Sequence, residues 1–144
     1  MSTWVQIEAE KAFRRAARAR RRAVLACRVG LCRACGCGTL AVHHGIPTRA
    51  AAAAPTGVRE IDVDAIGATV EPNRAAQFDD SFRPMPPTRA RWTRVWMAAE
   101  RGVTLPPISV VQVGDGYAVR DGHHRVSVAK ARGLVSISAV VAAA

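Results

Sequence analysis

The sequence predicts an α+β fold, in which a small mixed sheet with packed helices is preceded by a basic N-terminal helix and a cysteine-rich segment. The 144 residues suffice for about one domain. Hydrophobic residues make up 49% of the chain and charged residues 22%, which is typical of a globular protein. In the second half, strand-like alternation and helix-like periodicity follow each other, and this order is typical of helices packed on a sheet.

The charge is unevenly distributed along the chain, whose formal net charge is +10. Residues 1–59 carry 11 basic and 2 acidic side chains, whereas residues 60–144 carry 10 basic and 9 acidic ones. We therefore divide the chain into residues 1–58, with the basic helix, the cysteine-rich segment and a linker, and a domain over residues 59–144. The basic front half indicates an acidic partner such as DNA.

The first predicted element is a helix over residues 5–28, because Ala, Arg and Glu favour helices and neither Gly nor Pro interrupts them. Gly30 then ends the helix. Four arginines on one face would contact nucleic-acid phosphates without reading the base sequence, or would form an ordinary solvated face. These residues are Arg14, Arg18, Arg21 and Arg22.

The segment after this helix is rich in cysteine. The spacing of Cys32 and Cys35 is typical of zinc ligands, and Cys37, His43 or His44 could complete a set of four. A second regular pair is missing, so reduced thiols in a reducing cytoplasm and a redox-active pair are alternatives, and we commit to no metal site. The four cysteines are Cys27, Cys32, Cys35 and Cys37.

Residues 49–57 combine an alanine run with Pro, Thr and Gly, and we interpret them as a linker. The alternation of Ile61, Val63 and Ala65 with aspartates then predicts a short strand. Prolines and glycines separate the remaining elements. In chain order these are a polar segment at 71–77, a helix at 89–101, a strand at 108–113, its hairpin partner at 117–120, a helix at 123–132 and a strand at 135–141.

The segment Gly122-His123-His124-Arg125 connects the predicted hairpin to the following helix. The first amides of a helix lack internal acceptors and attract anions. Gly122 would let the backbone approach a ligand, Arg125 offers a planar fork for phosphate oxygens, and the histidines can donate hydrogen bonds or exchange a proton. The segment therefore predicts a phosphate site, and the alternative is a simple turn with surface histidines.

Residues 59–141 resemble the N-terminal domain of the bacterial chromosome-partitioning ParB family and its sulfiredoxin-like superfamily. The order of elements matches, as does the segment from Leu105 to Gly133, LPPISVVQVGDGYAVRDGHHRVSVAKARG. ParB proteins carry Gly-Glu-Arg-Arg where this chain has residues 122–125, and sulfiredoxins carry Gly-Cys-His-Arg. The glycine and the last arginine agree with both patterns.

The resemblance implies a pocket for a nucleoside triphosphate, CTP or ATP, with Mg²⁺. The glycine-led segment would bind the phosphates, and an arginine of the polar segment would contact them from a second side. A glutamate and an asparagine of the polar segment are candidates for the metal or the phosphate edge. The residues implied are Gly122, His123, His124, Arg125, Arg74, Glu71 and Asn73.

The activity is open at this stage. One hypothesis is a nucleotide-binding domain that contacts DNA through its basic helix; the others are an NTPase or small-molecule kinase with His123 or Glu71 as base, and a non-catalytic DNA- or protein-binding adaptor. His123 stands where sulfiredoxins have their reactive cysteine, so we expect no sulfinic acid reduction. The sequence has no counterpart of the ParB helix-turn-helix region, so a full DNA clamp is not expected. We expect a cytoplasmic protein without membrane contact, with self-association as an option.

Overall fold

The computed structural model describes residues 3–31, 38–44 and 57–143. None of the helices in these ranges is long and apolar enough to cross a bilayer. The helices are Thr3–Arg28 (α1), Pro72–Ala75 (α2), Arg89–Glu100 (α3) and His123–Ala131 (α4). The strands are Ala41–Val42 (β1), Val58–Asp62 (β2), Ile66–Thr69 (β3), Ile108–Val113 (β4), Gly116–Asp121 (β5) and Ser136–Ala143 (β6).

The strands form one six-stranded sheet in the order β1-β3-β5-β4-β6-β2. β3 is parallel to both β1 and β5, and β4 is parallel to β6. The β4–β5 hairpin and the β2–β6 pair are antiparallel. The sheet is therefore mixed, with helices packed on it, and the predicted α+β fold class is confirmed.

The main core lies where α4 and the segment between α2 and α3 pack on one face of the sheet. Val126 of α4 is fully buried there with Phe78 and Phe82. Val110 of β4 belongs to this core, whereas the next residue, Val111, belongs to a smaller cluster. Successive side chains of a strand point to opposite faces, so the sheet buries apolar groups on both sides.

Helix α1 packs on α3 and is not a detached basic arm. The Phe13 ring meets the Trp92 ring edge-on, with centroids 5.5 Å apart. Arg89 Nε, at the start of α3, donates to Glu10 Oε2 of α1 at 2.6 Å. The Trp92 Nε1–H in turn donates to Ser127 Oγ at 2.8 Å, which links α3 to α4. Both α1 and β1 of the predicted 1–58 region thus contact the 59–144 region.

The prediction of one strand around residues 61–65 is wrong, because the strand ends within this range. β2 ends at Asp62, and a 3₁₀ turn over Val63–Ala65 separates it from β3, a strand that was not predicted. The Asp62 carboxylate accepts the Asp64 N–H at 3.0 Å and caps this turn. Val63 is buried in the turn as it would be in a strand, so the apolar alternation did not distinguish the two.

The other predicted elements are present, with ends shifted by at most two residues. The polar segment at 71–77 contains the short helix α2. The cysteine-rich segment contributes the edge strand β1, which was not predicted. Most of the predicted linker lies outside the described residues.

Candidate functional site

A cavity of about 400 Å³ opens at the N-terminus of α4, next to α2, α3 and the end of β5. It brings together most of the residues predicted for phosphate binding. Asn73 is exposed on α2 and does not line it, whereas Arg91 of α3 and Arg120 of β5 line it without having been predicted. The predicted residues that line the cavity are Glu71, Arg74, Gly122, His123, His124 and Arg125.

Gly122 forms the junction between β5 and α4, with a φ of 104°. The first amides of a helix have no acceptor within it, and Gly122 offers no side chain that could accept from them. A Cβ on Gly122 would lie 2.6 Å from Ile108 Cγ2. Ile108 and the left-handed backbone thus give a structural reason for glycine at this position, and the close approach of a ligand to Gly122 stays a prediction.

Arg125 lines the cavity, but its guanidinium is largely engaged by the protein. Its Nη1 donates to the carbonyls of Pro106 and Pro107, the latter at 3.1 Å. Its Nη2 donates to Asp121 Oδ2 at 3.3 Å. Arg125 therefore fixes the segment before β4 against α4 and adds positive charge to the cavity, while few of its N–H groups are left for a ligand.

His123 is buried and connects α4 to the end of β3. Its Nε2 lies 2.7 Å from Thr69 Oγ1, which also accepts the Glu71 N–H at 2.9 Å. The His123 ring is nearly parallel to the Phe78 ring, with an interplanar angle of 16°. His124 meets Phe78 edge-on. Nε2 of His123 is thus committed to Thr69, and only Nδ1 remains for another partner.

Both histidines have pKa values lowered from 6.5 to about 4. For His123 the main cause is burial, followed by the nearby Arg74 and His124. For His124 it is burial, followed by Arg91 and Arg74. Both rings are therefore neutral at pH 7 and act as hydrogen-bonding and packing groups. An imidazole with a pKa of about 4 is a weak base, and the catalytic role predicted for His123 stays a prediction.

Four guanidinium groups give the cavity its charge. Arg74 Nη1 lies 3.4 Å from Gln77 Oε1, and Arg120 Nε donates to Ser109 Oγ at 3.0 Å. Arg91 is exposed and forms no ion pair within the described residues. The fourth is Arg125, described above. Two carboxylates, of Glu71 and Asp121, also line the cavity, so its formal charge is positive and suits an anion at the helix N-terminus.

Of the two arginines that were not predicted for the cavity, Arg91 and Arg120, only Arg120 could have been inferred from the sequence. Arg120 stands two residues before Gly122 at the end of a strand, and period two places such residues on the same side. Arg91 had no comparable signal, because it reaches the cavity only through the packing of α3 beside α4.

No metal site is found in the described part of the chain, where no three His, Cys, Asp or Glu side chains are grouped to bind an ion. Cys27, in the last turn of α1, is disulfide-bonded. Cys32, Cys35 and Cys37 lie outside the described residues, so zinc binding by this segment stays a prediction.

The arginines predicted for nucleic-acid contact do not reach the cavity. They lie on the part of α1 that faces solvent, away from its buried residues Ala9, Ala12, Phe13 and Ala17. The residues concerned, all exposed, are Arg14, Arg18, Arg21 and Arg22.

Comparisons with known proteins add a structural likeness. No family model and no curated protein matches the chain. The chain is similar to a solved structure of sulfiredoxin from Arabidopsis thaliana, with 17% sequence identity and a TM-score of 0.40. The match covers 61% of this chain and 86% of that chain. Membership of the ParB family stays a prediction.

Proposed function

We propose that the cavity at the N-terminus of α4 binds the phosphates of a nucleoside triphosphate, CTP or ATP, together with Mg²⁺. The observation that carries this proposal is the convergence of the first amides of α4 with four guanidinium groups in one cavity. Helix N-termini and arginines both favour phosphate. The volume of about 400 Å³ falls within the range of small-ligand sites, roughly 300–1,000 Å³.

The residues of the cavity fit Mg²⁺ bound through a nucleotide. Mg²⁺ is usually held by one or two carboxylates, with phosphate oxygens and water completing its ligands. Glu71 and Asp121 supply two carboxylates, and Asp121 already contacts Arg125. Glu71 is therefore the better candidate ligand, and the bound ion would neutralise phosphate charge.

The site favours binding over phosphoryl transfer. His123, one of the two residues considered as a base, has a pKa lowered to about 4 and is therefore a weak base, and its Nε2 is held by Thr69. Glu71, the other, is the candidate Mg²⁺ ligand. We therefore assign His123 to positioning the start of α4. Steady ADP release from ATP that disappears in His123→Ala would instead favour the phosphotransferase.

Thermal denaturation with Mg²⁺ and CTP, ATP or GTP tests the proposal. We expect at least one nucleotide to raise Tm in a saturable way, because a ligand that binds only the folded state stabilises it. Arg91→Met should weaken binding by about tenfold or more, since a hydrogen bond to a charged group contributes roughly 1.5–3 kcal/mol. Arg94→Met is the matched control, because Arg94 is exposed on the same helix and does not line the cavity. A folded sample whose Tm no nucleotide raises would overturn the proposal.

A second candidate function, DNA contact through α1, is supported by the exposure of the four arginines predicted for it. Phosphate contacts release counterions, so the affinity should fall steeply with salt. Changing all four arginines to Gln should flatten that salt dependence, whereas Arg91→Met should leave it unchanged. Equal DNA affinity in the quadruple variant and the wild type would exclude this role. The variant positions are Arg14, Arg18, Arg21 and Arg22.

A further inference from the structure

Large apolar side chains lie exposed at both ends of α1. Trp4 and Ile7, near its start, are 66% and 47% exposed. Leu25, in its last turn, and Val29, just after its end, are 59% and 65% exposed. Ile7 and Leu25 are 18 residues apart, which is about five turns of an α-helix, so they point to the same side. The spacings of three from Trp4 to Ile7 and four from Leu25 to Val29 keep all four side chains there.

The same side of α1 is strongly basic between its two ends. Arg18 follows Ile7 by 11 residues, about three turns, and thus lies in line with the apolar side chains. The two acidic residues of α1, Glu8 and Glu10, are half-buried, and each forms an ion pair with a basic residue. The four exposed arginines of this side form no ion pair within the described residues. We call this surface the outer face of α1, and it consists of Trp4, Ile7, Arg14, Arg18, Arg21, Arg22, Leu25 and Val29.

The opposite side of α1 is covered by the protein itself. It packs on α3, and its buried residues are Ala9, Ala12, Phe13 and Ala17. Within the described residues, none of the apolar side chains of the outer face belongs to a core cluster. The outer face is therefore free to contact a partner.

The combination of apolar and cationic groups distinguishes between anionic partners. Duplex DNA offers phosphates to arginines, but its backbone offers no apolar layer to Trp4 or Leu25. An anionic bilayer offers both, because acyl chains lie directly below the phosphates of its headgroups. Basic clusters on amphipathic helices are typical of binding to anionic lipids, and tryptophan is enriched at the membrane–water interface. Arginine side chains are long enough to keep their charge among the headgroups while their stems lie on apolar surface.

We propose that the outer face of α1 binds an anionic lipid surface, with Trp4 and Ile7 at the boundary between headgroups and acyl chains and the four arginines contacting lipid phosphates. From the sequence alone we expected no membrane contact, because the apolar side of this helix is mainly alanine. The docking of α1 buries that side and leaves Trp4 and Ile7 outside. No residue of the outer face lines the cavity at the N-terminus of α4, so the proposal is independent of nucleotide binding.

Co-sedimentation of the full chain with lipid vesicles tests this inference. We expect binding to vesicles of equal parts phosphatidylglycerol and phosphatidylcholine, and much weaker binding to phosphatidylcholine alone, because only the mixed vesicles carry net negative charge. Replacing Trp4 and Ile7 together with Ser should weaken binding to the mixed vesicles by about tenfold or more, since two apolar contacts with the bilayer are lost. Val103→Ser combined with Val135→Ser is the matched control, because both are exposed apolar residues outside α1.

Tryptophan fluorescence gives a second measurement of the same contact. Trp92 is fully buried and Trp96 is half-buried, so a change on lipid binding comes mainly from Trp4. We expect the emission to move to shorter wavelength with the mixed vesicles, and this change should be absent in Trp4→Phe, whose ring keeps an apolar contact.

Three outcomes would overturn the inference. The first is a folded sample that does not bind the mixed vesicles. The second is a double Ser variant, with the urea midpoint of the wild type, that binds these vesicles as tightly as the wild type does. The third is binding to duplex DNA without binding to the mixed vesicles, which would leave DNA as the partner of α1.

Discussion

Replacing Gly122 with alanine tests why a glycine stands between β5 and α4. The left-handed backbone costs an L-residue about 1–2 kcal/mol. The added Cβ would also lie 2.6 Å from Ile108 Cγ2 and 2.9 Å from Ile108 Cβ. Over-packing of this kind costs typically about 1–3 kcal/mol. We therefore expect Gly122→Ala to lower the free energy of unfolding by roughly 2–5 kcal/mol.

Gly133 is the matched control, because it follows α4 as Gly122 precedes it. Its φ is 69°, and a Cβ there would have no atom within 4 Å. Gly133→Ala should therefore lower the free energy of unfolding only by the cost of the left-handed backbone, about 1–2 kcal/mol. The difference between the two variants isolates the contact with Ile108.

Urea denaturation, followed by far-ultraviolet circular dichroism, measures both variants against the wild type. The midpoint of Gly122→Ala should lie well below that of Gly133→Ala, with unchanged dependence of stability on urea concentration. Equal losses in the two variants would refute the explanation from Ile108.

Three further predictions concern the packing and the histidines. Phe13→Ala should lower the free energy of unfolding by about 3–5 kcal/mol, because the ring packs on Trp92; an unchanged value in urea denaturation would mean that α1 is not docked. Ser127→Ala should cost about 1–3 kcal/mol by leaving the buried Trp92 Nε1–H without its acceptor, and a neutral effect on the urea midpoint would contradict this. His123 and His124 have lower pKa values in the folded than in the unfolded protein, so stability should be lost as the pH falls from about 6.5 to 4, by roughly 3 kcal/mol for each ring. Urea titrations at pH 7 and 4.5 measure how much the free energy of unfolding falls between these two values. The fall should be smaller for His124→Gln than for the wild type, and an equal fall would count against the lowered pKa of His124.

Most elements were predictable because they depend on short-range patterns. β4 and its hairpin partner are bounded by prolines and by the turn at Gly114, and α4 is bounded by Gly122 and Gly133. The alternation around Val63 was misleading, because a capped 3₁₀ turn buries the same side chain that a strand would. Strand β1 has only two residues, and its pairing with β3 depends on chain topology that no local pattern reveals.

The candidate site was predictable only where it is continuous in sequence. Gly122 and Arg125 were identified as a pair, but their contacts with Ile108 and with the Pro106 carbonyl depend on how β4 is placed beside α4. Arg91 belongs to a different helix and enters the site through tertiary packing. The number of guanidinium groups at the site was therefore underestimated from sequence, and the contacts of Arg125 with the protein could not be foreseen.

The most direct test of the central claim, that α4 presents its first amides to a polyphosphate, is amide NMR during titration with Mg²⁺ and ATP or CTP. We expect saturable shifts at the amides of His123, His124 and Arg125, and smaller shifts in Arg91→Met. Shifts confined to the arginine face of α1, or no shifts with either nucleotide in a folded sample, would contradict it.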